Sequence, residues 1–142
     1  MDDERLLTVL AQVAEQMGFL TPLGPGEAAP PGPDALVVRV AFSGASSGVV
    51  AVAASRALAE ALARNLLALD PAAAVPPADA FDALAELANV STGNLLPLLH
   101  GDGEYRLAAP QPGTWPGNPA QTAFLECAEG TLALAAVAGV AA

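Results

Sequence analysis

The chain has 142 residues, 54% of them apolar by class and only 4% aromatic, so alanine, leucine and valine must fill the core of one domain over 1–142. Fifteen acids face five basic residues, all arginine, for a formal net charge of −10. That charge repels phosphate backbones and anionic lipid, so neither nucleic acid nor a membrane is expected as a partner. The missing lysine excludes Schiff-base chemistry and a P-loop.

The opening Met-Asp-Asp-Glu has the wrong sign for a signal peptide. No apolar run reaches the roughly 20 residues of a membrane span, and the one cysteine, Cys127, has no partner for an internal disulfide. A cytoplasmic protein is expected. Residues 4–20 place Leu6, Val9, Leu10, Val13 and Met17 at helical spacing, which predicts an amphipathic first helix. Thr21 to Pro33 is dense in proline and glycine and reads as an irregular loop. ALVVRVAF and SGVVAVAA are β-branched runs separated by Ser43, Gly44, Ala45 and Ser46, a hairpin signal. Ser55 is placed to cap a helix through RALAEALARNLLAL that ends near Asp70 and Pro71.

After AVPPA, Asp79 is the expected cap of a helix from about Ala80 to about Leu99, with Pro97 bending or ending its last turn. GEYRLAA is a strand candidate and PQPGTWPGNPAQ a loop. TAFLECA and TLALAAVAG are strands joined at Glu129-Gly130, and the closing tract from Leu132 to Ala142 suits a buried strand better than an anchor. The order α-β-β-α-α-β-β-β gives an α+β fold, an antiparallel sheet covered on one face by helices, because strands with no helix between them have hairpin-length links. Residues 36–42 and 131–138 are the expected edge strands, either of which can pair across a two-fold axis.

The helix after AVPPA carries the functional signal. At 100° per residue, Asp82, Glu86, Asn89 and Gly93 fall within an arc of about 60°, while Leu84, Leu87, Leu95 and Leu98 lie opposite. Such a helix buries leucines and presents two carboxylates and a carboxamide in a row. Exposed acids on a helix ordinarily serve solvation. Asn89, however, costs about 0.5 kcal/mol in mid-helix, and Gly93 costs about 1 kcal/mol relative to alanine, which a close approach by a partner or by the sheet would explain. Pro112 follows Asn89 after 22 intervening residues; proline there belongs to loop geometry more than to chemistry.

Other features carry less. Asn89-Val90-Ser91 matches a glycosylation sequon but lies within the helix. His100, the only histidine, sits where a helix end exposes carbonyls. Cys127 is a small core residue. Trp115 either packs over the sheet edge or touches a partner.

The pattern Asp82, Glu86, Asn89, Pro112, with Gly93-Asn94 after it, resembles the Asp/Ser-x3-Glu-x2-Asn-x22-Pro signature of the CheC/CheX/FliY chemotaxis phosphatases. One copy points to the single-site CheX branch, and the element order is similar over nearly the whole chain. The resemblance implies a phosphatase for the aspartyl phosphate of a CheY-type response-regulator receiver, catalytic roles for Glu86 and Asn89, and contacts at Asp82, Gly93 and Pro112. Asn89 would orient the attacking water, and Glu86 would pair with the lysine beside the receiver's phosphorylation site. It also implies a homodimer, no cofactor or metal of its own, and Mg2+ held by the receiver. The rival expectations are a non-catalytic receiver-binding module of the flagellar-switch kind and an acidic adaptor indifferent to these residues.

Overall fold

The computed structural model describes residues 3–117, 119 and 121–139. Residues 1–2, residues 118 and 120 of the expected loop, and residues 140–142 at the end of the expected last strand lie outside them. The first helix, α1, covers Asp3–Gln16 and buries Leu6, Leu10, Val13 and Ala14. It ends one turn short of the expected Leu20 because the amides of Met17 and Gly18 both turn back to the Val13 carbonyl and Phe19 is left-handed, with φ 54°. A Cβ at Gly18 would lie 2.9 Å from the Ala14 carbonyl oxygen and 2.7 Å from Leu62 Cδ1, so the exit from α1 favours glycine.

Strand β1, Pro22–Pro25, runs through what the sequence presents as an irregular loop. Its prolines remove amide donors, yet it pairs on one side only, antiparallel to β6 (Gln121–Cys127), where an edge strand tolerates them. The hairpin is as expected: β2 (Leu36–Gly44) pairs with β3 (Gly48–Ala54) from Leu36↔Ala54 to Phe42↔Gly48. Ser55 then caps α2 (Arg56–Leu67), accepting from the Leu58 amide at 3.4 Å. Its Oγ also accepts from the Thr131 amide at 3.2 Å, tying the cap to β7 (Gly130–Ala138).

The long helix α3 covers Pro77–His100. Asp79 is therefore not its cap. Pro77 occupies the first turn, where a missing amide has no cost, and Asp79 lies in the same turn, where its carboxylate meets the positive helix end. Pro97 lies inside the helix and does not end it. After it come β4 (Tyr105–Leu107) and β5 (Gln111–Pro112), a two-residue strand inside the expected loop. Cys127 pairs with Gly130, so the turn between β6 and β7 consists of Ala128 and Glu129, one residue before the expected pair.

The antiparallel sheet runs β1-β6-β7-β3-β2-β4, with β5 also paired to β2. This corrects both expected edges: β7 is held between β6 and β3, and β2 carries β4 and β5 along its outer side. Helices cover one face, α1 against β6, α2 against β7 and α3 against β2 and β3. Val38, Val40, Phe42, Val50, Val52, Leu125, Leu132 and Leu134 meet them there. The alternate residues of β3, Val49, Ala51 and Ala53, are also buried. On that second face Trp115 lies over Phe124 with ring centroids 6.2 Å apart, and Pro30 and Pro31 flank Ala53 and Ala133 around a cleft. The two proline-rich segments are thus a covering layer, and Trp115 packs over the sheet. No helix among the described residues is long and apolar enough to cross a membrane.

Candidate functional site

The phase of α3 is set by its buried side. Ala80, Leu84, Leu87, Ala88, Ser91 and Leu95 are all fully buried against α2 and the sheet, which turns the opposite side outward. Asp82, Glu86 and Gly93 are exposed there and Asn89 is half-buried. Glu86 and Asn89 are about 4.5 Å apart along the axis and Asp82 lies about 6 Å behind Glu86, from the 1.5 Å rise. The structure therefore brings Asp82, Glu86, Asn89 and Gly93 into one surface row. Leu98 departs from expectation: it is 41% exposed, while Leu96 and Leu99 beside it pack on the core.

Among the described residues, the side chains of Asp82, Glu86 and Asn89 have no hydrogen-bond or ion-pair partner in the chain. Two unpaired carboxylates and an amide with free donor and acceptor sites are therefore available to an incoming molecule. A Cβ placed at Gly93 meets no heavy atom within 4 Å. Approach by the sheet is thus not the reason for this glycine, and the space above it is open to a partner.

Pro112 belongs to β5 and not to the helix that carries the row. It is exposed in β5 and pairs with Val38, while the next amide, of Gly113, donates to the Val37 carbonyl at 3.1 Å. Gly113 lies so close over the Arg39 side chain that a Cβ there would overlap Arg39 Cδ. The proline thus lies in a segment that runs along β2.

His100 does not turn to the terminal carbonyls. Its ring packs on Phe42 at 5.5 Å between centroids, and the Gly101 carbonyl accepts from the Tyr105 hydroxyl at 2.6 Å. Burial first, then the carboxylates of Glu129 and Glu126, pushes the Cys127 thiol up to about 11, so it remains a neutral core group. Among the described residues no three His, Cys, Asp or Glu side chains converge as a metal ion would require.

Sequence reasoning missed Leu66 and Leu67, which line a groove beside Asp82 and Glu86. Only the exposure of Leu67 was signalled: in α2 it falls about 110° from the mean direction of Leu58, Ala59, Leu62 and Ala63, so it does not share their burial.

The family model for the chemotaxis phosphatase CheX matches residues 36–114, from β2 through α3 to just beyond β5. Among solved structures, CheX from Desulfovibrio desulfuricans superposes with a TM-score of 0.68 at 16% identity, over 95% of this chain and 97% of that one. CheX from Vibrio vulnificus gives a TM-score of 0.65 at 18% identity, over 94% and 93%. A chain of the CheX–CheY–BeF3–Mg2+ complex from Borrelia burgdorferi gives 0.65 at 15% identity, over 94% and 96%. At such identities the structural likeness is one of fold. A search of curated proteins returned no match.

Proposed function

Because the chain belongs to the CheX family of chemotaxis phosphatases, we propose that it hydrolyses the aspartyl phosphate of a CheY-type receiver, using Glu86 and Asn89. The observation that carries the reading is the unpartnered row on α3, with Asn89 half-buried between exposed Glu86 and exposed Gly93. The Borrelia burgdorferi complex, in which CheX is bound to CheY with BeF3 and Mg2+, supports the choice of partner.

An acyl phosphate is cleaved by in-line attack of water on phosphorus. The phosphorus bond to the aspartyl oxygen breaks, leaving the receiver's carboxylate and inorganic phosphate. Positioning and charge stabilisation dominate such a step. Asn89 suits it because its carbonyl accepts from the water while its NH2 group donates elsewhere, fixing the oxygen's direction with no proton exchanged by the side chain. Glu86, one turn back, pairs with the receiver's lysine and sets the depth at which Asn89 enters. Asp82 is a rim contact, Gly93 permits close approach of the two backbones, and Pro112 acts only by holding its loop. Mg2+ is supplied by the receiver. A receiver substrate places the reaction in the cytoplasm.

Self-association belongs to the same reading. With β7 interior and β2 covered, the outer strands among the described residues are β1 on one side and β4 with the two-residue β5 on the other. β1 carries Pro22 and Pro25, which blunt an edge, so a sheet continued across a two-fold axis would run through the side that β4 and β5 form. Light scattering that returns a monomer mass at micromolar concentration would contradict it.

The activity is tested by following inorganic phosphate released from a phosphorylated CheY-type receiver with Mg2+, with and without the protein. Acceleration supports the phosphatase. Unchanged decay despite binding contradicts it and identifies a non-catalytic module.

A further inference from the structure

The C-terminal end of α2 leaves apolar surface in water beside the row. Leu67 is 53% exposed, Leu66 is partly buried, and the left-handed Ala68, φ 55°, ends the helix before Leu69, itself 37% exposed. Between this lip and α3 runs a groove of ≈ 190 Å³ lined by Leu66, Leu67, Asp79, Asp82, Ala83 and Glu86. Cofactor and drug-sized sites occupy about 300–1,000 Å³, so this one has room only for a side chain or two.

The charged residues that line the groove are of one sign. Its apolar floor is bordered by the carboxylates of Asp79, Asp82 and Glu86, with no cation among the lining residues, and the nearby Arg64 of α2 donates to the Ala73 carbonyl. An acidic segment entering it would be repelled, whereas an apolar side chain next to a lysine or arginine would satisfy floor and rim together. Glu86 belongs both to the groove and to the row, so a partner engaging one necessarily overlies the other. We propose that the groove seats an apolar side chain of the receiver flanked by a basic residue, and that Leu67 helps to determine which receivers the protein accepts. The inference rests on the receiver-docking reading of Glu86 but not on the catalytic role of Asn89.

The test compares Leu67→Ser with the wild type and with Leu23→Ser, a control that removes a leucine 66% exposed on β1. Binding of a BeF3-activated CheY-type receiver is measured by calorimetry, and phosphate release by the dependence of rate on receiver concentration. Leu67→Ser should weaken binding at least about fivefold and raise KM alike, with kcat unchanged. Leu67→Met should restore affinity to within about twofold, and Leu23→Ser should match the wild type. Unaltered affinity in Leu67→Ser, or an equal loss in Leu23→Ser, overturns the proposal. If the wild type binds the receiver without speeding phosphate release, the phosphatase reading fails while the affinity comparison still decides on the groove. If no CheY-type receiver binds the wild type, both fail.

Discussion

Replacing Gly93 by alanine separates the stability of α3 from its use. Gly93 lies in the helix interior, exposed, with no heavy atom within 4 Å of a Cβ placed there. The methyl group gains no new packing and meets no clash, so the change in folding free energy reduces to helix propensity, about 0.8–1.0 kcal/mol in favour of alanine. For a chain of this size that raises Tm by roughly 3–4 °C. In urea the midpoint should move up by about 0.5 M at unchanged slope. The same methyl group projects from the row one turn beyond Asn89, so affinity for an activated receiver should fall several-fold while the fold gains stability. Urea unfolding followed by circular dichroism gives the first quantity and calorimetric titration with a BeF3-activated receiver the second. A loss of stability would refute the open, helical placement of Gly93. A gain with unchanged receiver affinity would refute the close approach of a partner at this residue.

Ser91 is fully buried on the core side of α3 and its hydroxyl has no hydrogen-bond partner among the described residues, so Ser91→Ala should stabilise the protein by about 1 kcal/mol in urea unfolding. Ser55→Ala removes the cap of α2 and the acceptor for the Thr131 amide together and should destabilise by about 1–2 kcal/mol in the same assay. Glu86→Gln should weaken receiver binding most at low ionic strength and flatten the dependence of Kd on salt. Because the Cys127 thiol is raised from its ordinary 9.0 to about 11 in the folded chain, the unfolded state loses that proton first as pH rises. Stability therefore declines from pH 9 towards 11, and Cys127→Ala should make the decline shallower in unfolding curves across that range.

The parts of the fold legible in the sequence are those fixed by local periodicity and capping. The face of α1, the β2–β3 hairpin, the Ser55 cap and the outward row on α3 all follow from spacings of two or of three to four residues. What escaped depends on partners distant in sequence. β1 is hidden by Pro22 and Pro25, which signal a loop until β6 pairs with it, and β5 exists only because Pro112 and Gln111 lie along β2. The edges were misplaced for the same reason, since nothing within residues 131–138 says that β6 and β3 lie on either side. Pro77 reads as a helix breaker, but in the first turn it is a helix starter, and this moved the cap away from Asp79. At the site, the row was legible because a helix repeats every 3.6 residues. The Leu67 groove was not, because it requires the packing of α2 on α3, which neither helix encodes alone.

The central claim is that Asn89 positions the water that attacks the receiver's acyl phosphate. Single-turnover decay of a phosphorylated CheY-type receiver, with saturating wild-type or Asn89→Ala protein and Mg2+, tests it most directly, alongside calorimetric affinity for the BeF3-activated receiver. The account predicts accelerated decay with the wild type and a loss of about 100-fold or more of that acceleration in Asn89→Ala, with affinity changed by less than about threefold. Equal acceleration by both proteins would contradict it.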